Sequence, residues 1–272
     1  MTTQYRHFFD SSKFNSSACV TGPIDPESQQ TIANYIQQRS TSARVITEIC
    51  CGGAWLGIRL SNLLSPARLN LLDYSSNQLS IAKRNTKSFL SSEIKPNVQY
   101  IRSSATSIPI EDCTSELNVM SFAIHLIDRS KQKFVFEEAH RVCTSGGSFV
   151  IVTIDKNDIG NSLCDRYVEG YQEIDKNRFP TTREIISHGD RKLWSNIETD
   201  ILDVTITYGR IQEASELLMS KPFSTFHALE NKVGKKELNR RITTGIATMK
   251  DDFGESIVTA STRASIITLS KQ

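Results

Sequence analysis

The stretch Glu48-Ile-Cys-Cys-Gly-Gly-Ala54, together with Asp73 and His125, holds the residues whose types and spacing point to chemistry. Gly52 and Gly53 give the chain backbone freedom and let a ligand come close to the main chain, while Cys51 and Ala54 are small. Amides at the start of a helix following such a turn favour a carboxylate. Asp73 closes the apolar run RLNLLD, where an acid can accept two hydrogen bonds from ribose hydroxyls. A glycine turn followed by a ribose acid reads as a site for an adenosine-bearing cofactor.

Other phosphate-binding turns fit less well. A Walker loop needs GxxxxGK[ST], and no such run follows the first apolar segment. A dinucleotide fingerprint needs GxGxxG, whereas Cys50 stands at its first glycine position. The six cysteines, at 19, 50, 51, 113, 143 and 164, form no CxxC pair and have no histidines at zinc-ligand spacing, so no metal is expected. Adjacent Cys50 and Cys51 have no histidine beside them in sequence, which favours buried thiols over thiol chemistry.

These residues need a scaffold, and the pattern supplies one. Short apolar runs (ARVITEI, RLNLLD, NVQYI, LNVMSFAI, GSFVIVTI) alternate with helix-like stretches (WLGIRLSNLL, NQLSIAKRNTKSFL, KFVFEEAHRV) over roughly residues 41–155. This alternation predicts crossover units and a parallel sheet covered on both faces. DPESQQTIANYIQQRS reads as a helix entering the sheet. ETDILDVTITYG and ESIVTASTRASIITLSK alternate as two strands, an antiparallel pair closing one edge.

Residues 43–155 resemble a class I S-adenosylmethionine-dependent methyltransferase of the small-molecule type. Glu48, Cys50, Gly52 and Ala54 fall on the four fixed positions of its acid-x-Gly-x-Gly-x-Gly turn. LNLLDYSSNQLSIAKRN is similar to the second motif, IRSSATSIPIEDCTSELNVMSFAIHLI to the third and fourth, and FEEAHRVCTSGGSFVIVTI to the run into strand five. Fainter similarity continues through IDKNRFPTTREI and KPFSTFHALE. The departures are Cys50 and Ala54 in place of turn glycines, and Ser104 where the family usually has an acid for the adenine amino group.

The resemblance implies a Rossmann-like, doubly wound α/β fold: a mostly parallel seven-stranded sheet with helices on both faces, an N-terminal lid and a cap after strand five. The expected organisation is a single domain over 1–272, with lid helices at 1–40, a cofactor-binding core at 41–155, and cap and C-terminal strands at 156–272. It places S-adenosylmethionine on Glu48, Cys50, Cys51, Gly52, Asp73, Tyr74, Ser104, Ala105, Thr106, Ser121 and Phe122, with S-adenosylhomocysteine as product.

Methyl transfer from a sulfonium is a displacement that demands alignment and shelter from water, and a base only if the acceptor arrives protonated. His125 either accepts a proton or orients the substrate, or packs beside the cofactor without titrating. Tyr5 is a second catalytic candidate, in an aromatic lid with His7, Phe8 and Phe9. His7, Phe9, Asp155, Tyr171 and Arg178 are candidate substrate contacts, Arg178 as a carboxylate clamp.

The expected function is methyl transfer to a small-molecule acceptor, in specialised biosynthesis. The alternatives are a non-methylating use of the sulfonium (cyclisation or aminocarboxypropyl transfer, releasing methylthioadenosine) and a non-catalytic scaffold. Lysine plus arginine number 32 against 30 acids, scattered along the chain, which argues against a nucleic-acid partner. No apolar run is long enough for a membrane span and no targeting segment is evident, so a cytoplasmic location is expected. A homodimer is compatible with this reading.

Overall fold

The computed structural model describes residues 25–93, 97–190, 192–221 and 223–272. Helix α1 (Pro26–Arg39) begins where Asp25 accepts hydrogen bonds from the amides of Glu27 and Ser28, with Pro26 in the first turn. Strand β1 (Val45–Ile49), helix α2 (Trp55–Leu64), β2 (Arg68–Asp73), α3 (Ser76–Phe89) and β3 (Asn97–Arg102) follow as two crossover units. Then come β4 (Ser115–Ser121), α4 (Arg129–Val142) and β5 (Cys143–Thr153). The expected antiparallel pair is β6 (Trp194–Gly209) and β7 (Val258–Lys271).

The sheet has seven strands in the order β3-β2-β1-β4-β5-β7-β6. The pairs among β1 to β5 are parallel, and β7 runs antiparallel to both β5 and β6. This is the Rossmann-like, doubly wound architecture that the sequence implied, with order reversing between β1 and β4, the switch point outside whose carboxyl ends such sheets bind ligands.

Both faces are covered, which explains why the strands read as continuous apolar runs rather than alternating ones. On one face Ile46, Leu69, Leu71, Val119 and Val152 pack against Ile32 and Ile36 of α1, Leu56 and Leu60 of α2 and Ala82 of α3. On the other, Ile49, Leu72, Met120, Phe149 and Ile151 pack against Val135, Phe136 and Ala139 of α4. Residues 103–114, between β3 and β4, form no helix. Arg141 stitches this loop down, donating to the carbonyls of Ile110 (2.8 Å) and Ile108 (2.6 Å) and pairing with Asp112.

The cap is larger than the sequence suggests. Between β5 and β6 lie the short helices α5 (Leu163–Tyr167), α6 (Tyr171–Arg178) and α7 (Thr182–Ile186). Between β6 and β7 lie α8 (Ile211–Ser220), α9 (Ser224–Val233) and α10 (Lys235–Phe253). Leu163, Val168 and Tyr171 from the first insertion share one apolar cluster with Leu218, Phe226, Leu229, Leu238 and Ile242 from the second. The sequence reading placed a cap only after strand five. Its second half was hidden because an amphipathic helix does not announce what it packs against.

Candidate active site

The turn after β1 answers the question posed by its two missing glycines. Cys50 (φ 57°) and Ala54 (φ 62°) both adopt the left-handed conformation, as does Gly52 (φ 52°). The backbone therefore keeps a glycine-like path although side chains occupy two of the three positions, at a cost of about 1 kcal/mol for each non-glycine residue. Phe122, just past β4, is a third strained non-glycine (φ 47°), its amide donating to the Val152 carbonyl at 2.7 Å. Pairing of Glu48 with Val119 carries the β1 and β4 ends to the same edge, so these strained turns share the crevice.

Asp73 is buried and ties the turn to the next one. Its Oδ2 accepts the Gly52 amide at 2.9 Å and its Oδ1 the Ser75 amide at 2.9 Å. Ser75 in turn caps α3 through the Gln78 amide. Tyr74 lies beside Asp73, and its carbonyl accepts from Arg102 Nε at 3.1 Å.

Glu48 plays a different part from a direct ligand contact. Its side chain is fully buried, and Oε2 accepts the Gly57 amide at 2.9 Å in the first turn of α2, a helix whose N-cap residue Ala54 offers no side-chain cap. Burial pushes its carboxyl up to about 8; the Gly57 amide opposes the rise and the Asp73 charge adds to it. Burial likewise raises the Cys50 thiol to about 12 and the Cys51 thiol well above its ordinary value, with Asp73 adding to both. Neither is poised as a thiolate nucleophile.

At the end of β3, Ser104 Oγ and Thr106 Oγ1 share a 2.8 Å hydrogen bond, and Ala105 is buried between them. At the end of β4, Ser121 is buried and the Phe122 ring lies 6.3 Å from that of Trp55. His125 follows in a single turn of 3-10 helix (Ile124–Leu126). Its ring stacks on Phe179 with centroids 3.9 Å apart and planes 15° from parallel. Burial, reinforced by the Arg178 charge, holds this imidazole well below the usual histidine range, so it is neutral at physiological pH. His125 Nδ1 is buried and has no hydrogen-bond partner among the described residues.

Other candidates are committed within the protein. Asp155 Oδ1 accepts the Asn157 amide (2.8 Å) and Oδ2 the Thr182 amide (2.5 Å), so it caps two helical starts. Burial alone would raise the Asp155 carboxyl; these amides hold it low instead. Tyr171 is 3% exposed and packs edge-on to Phe226 at 4.9 Å, in the cap core. Arg178 donates to Thr225 and Ser224 inside the cap. Tyr5, His7, Phe8 and Phe9 lie outside the described residues.

Sequence reading missed three neighbours of the turn. Gly57 has no room for a side chain beside Glu48. Asn85 donates to the Gly53 carbonyl at 2.8 Å, and buried Gln78 stands against Gly52 with its Nε2 unpartnered among the described residues. Their positions on the inner face of α3, at 78, 82 and 85, were the available signal. A groove of about 590 Å³ also opens at the opposite, amino end of the sheet, around Tyr35, Arg39, Glu116 and Gly146. It contains none of the candidate residues.

Residues 46–147 match the methyltransferase domain family. No curated protein sequence matches the chain. Among solved structures, the YcgJ protein from Bacillus subtilis superposes with a TM-score of 0.59 at 13% identity, covering 91% of this chain and 100% of its own. Geranyl diphosphate C-methyltransferase from Streptomyces coelicolor A3(2), solved with Mg2+, geranyl diphosphate and S-adenosyl-L-homocysteine, gives 0.56 at 13% identity, covering 100% and 99%. The [4+2]-cyclase SpnF gives 0.55 at 14% identity, covering 89% and 80%. From β1 to the start of β5, then, the chain matches a methyltransferase domain model, and its fold as a whole is the Rossmann-like one shared with these solved structures.

Proposed function

We propose that this protein transfers the methyl group of S-adenosylmethionine to a small-molecule acceptor, leaving S-adenosylhomocysteine. The observation that carries the reading is the turn at 50–54. It holds a strained glycine-like backbone against an aspartate whose oxygens face the first turns of two successive crossover units. Backbone strain gathered at the carboxyl edge of the sheet supports a ligand site there.

The residues present fit the cofactor. The bare backbone at Gly52 would let the methionine part come close to the turn, Asp73 would meet the ribose hydroxyls, and Ser104, Ala105 and Thr106 the adenine edge. Gln78, whose oxygen stands nearest Gly52, has an amide nitrogen without a partner among the described residues, which would be a further donor near the turn. S-adenosylmethionine, when bound, supplies an electrophilic methyl carbon. The chain's part is to align the acceptor and exclude water. The neutral His125 ring faces this work as a hydrogen-bond acceptor, which suits an acceptor molecule that arrives bearing a proton on its nucleophilic atom. An acceptor of small-molecule size is the reading that the fold shared with geranyl diphosphate C-methyltransferase from Streptomyces coelicolor A3(2) supports.

A second reading keeps the cofactor and changes the reaction, and the fold shared with a [4+2]-cyclase favours keeping it in view. Calorimetric titration with S-adenosylmethionine and S-adenosylhomocysteine tests the site, and by-product analysis tests the reaction. Saturable binding with S-adenosylhomocysteine released is expected. Methylthioadenosine would shift the assignment to the second reading, and absence of binding to either compound would leave a scaffold.

A further inference from the structure

Helix α6 of the first insertion and α9 of the second are joined by a short buried polar chain. Thr225 Oγ1 donates to Asp175 Oδ1 at 2.5 Å, and Arg178 Nη1 donates to the same Thr225 oxygen at 2.5 Å. Arg178 Nη2 reaches Ser224 Oγ at 2.8 Å, and Nη1 lies 3.8 Å from Asp175 Oδ1. Asp175, Ser224 and Thr225 are all buried. A hydroxyl placed between a carboxylate and a guanidinium in a dry setting is strongly held, because removing it leaves two buried polar groups short of a partner.

The chain of contacts runs on from the latch to the crevice. Phe179 directly follows Arg178, and its amide donates to the Asp175 carbonyl at 2.8 Å. Its own carbonyl accepts from Arg129 Nη2 at 3.5 Å, and its ring covers His125 at 3.9 Å. The end of α6 is therefore fixed from three sides, and the residue that follows it is the one that stacks on the imidazole.

We propose that Asp175, Thr225 and Arg178 form a positioning latch for the active site. By pinning the two cap insertions together they fix Phe179, and Phe179 sets the plane of the His125 ring. Arg178 on this account is a positioning residue rather than a clamp for a substrate carboxylate. The proposal rests on the reading of His125 as facing the acceptor, but its geometry can be tested without turnover.

The test uses the full chain with carbon-13-labelled histidine. The His125 ring signals are assigned by their loss in His125→Gln. A proton held over a phenyl face resonates upfield, so wild type should show displaced His125 signals. Thr225→Val, which keeps the shape and removes the hydroxyl, should return them most of the way toward ordinary histidine positions. Thr225→Ser should leave them displaced. Asp175→Asn provides a second disruption should the valine variant fail to fold, and circular dichroism checks the fold of each. Where an acceptor is known, kcat for Thr225→Val should fall about 10- to 100-fold with cofactor affinity unchanged. A folded Thr225→Val or Asp175→Asn whose His125 signals stay in place overturns the latch. Full activity in His125→Gln, with the signals moving as expected in the latch variants, would instead overturn the role given to His125.

Discussion

A Cβ placed on Gly57 would lie 2.6 Å from Glu48 Oε2, and 3.2 and 3.3 Å from Leu71 and Leu69. The first turn of α2 and the buried carboxylate of β1 are thus in direct contact, with no side chain able to come between them. Gly57→Ala should destabilise the fold by about 2 kcal/mol, since the carboxylate and two leucines would all have to give way. In a Glu48→Ala background the same substitution should cost markedly less. Urea denaturation of the four proteins gives the coupling; equal costs in both backgrounds would contradict the contact.

Glu48 also predicts how stability varies with pH. Its folded carboxyl titrates at about 8, against an ordinary value of 4.5, so folding takes up a proton between the two. The stabilising contribution is fully present below the unfolded value and is lost as pH rises through the folded one. Between about pH 6 and pH 9 stability should fall on the order of 2–3 kcal/mol from this group. Glu48→Gln should flatten that decline, and a decline of the same steepness in the variant would assign it elsewhere.

Two left-handed positions in one turn should respond differently to glycine. Cys50 is only half-buried, so Cys50→Gly relieves backbone strain with little packing lost and should stabilise by about 1 kcal/mol. Ala54 is fully buried in the core, and there the lost methyl offsets the relief, leaving Ala54→Gly within about 0.5 kcal/mol of wild type. Thermal melts compare the two directly. Cofactor affinity should hold or rise in Cys50→Gly because the floor widens.

His125 makes a prediction about rate rather than stability. Held well below the usual histidine range, it stays neutral through the physiological interval. The kcat/KM profile should therefore carry no His125 ionisation between about pH 6.5 and pH 8.5. An inflection in that window present in wild type and absent from His125→Gln would show that the ring titrates during turnover.

The sheet was legible in the sequence because doubly buried strands, their crossover helices and the alternating β6 and β7 leave distinct periodicities. The place of Asp73 beside the turn was legible for the same reason, since strand ends in a parallel sheet converge on one edge. Gly57 could not be read, as its need for a bare backbone comes from Glu48, nine positions earlier on β1. Cys50 and Ala54 read as departures from a glycine turn, yet the backbone kept the path, because tie points at Asp73 and at the Leu72 carbonyl hold it there. Asp155 and Arg178 read as substrate contacts because a charged residue past a strand end looks free until the amides of Asn157 and Thr182, and the hydroxyls of Thr225 and Ser224, are seen to hold it.

The long excursion between β6 and β7 has a bearing on how the protein is made. During synthesis β6 emerges well before the strand it pairs with, and three helices must follow before β7 arrives to join it to β5. Through that interval a 16-residue strand carries open hydrogen-bonding edges, the kind of segment that recruits other chains. Glu198, Asp200 and Asp203 punctuate it with like charges. Like charges along an open strand oppose its pairing with a second copy of itself.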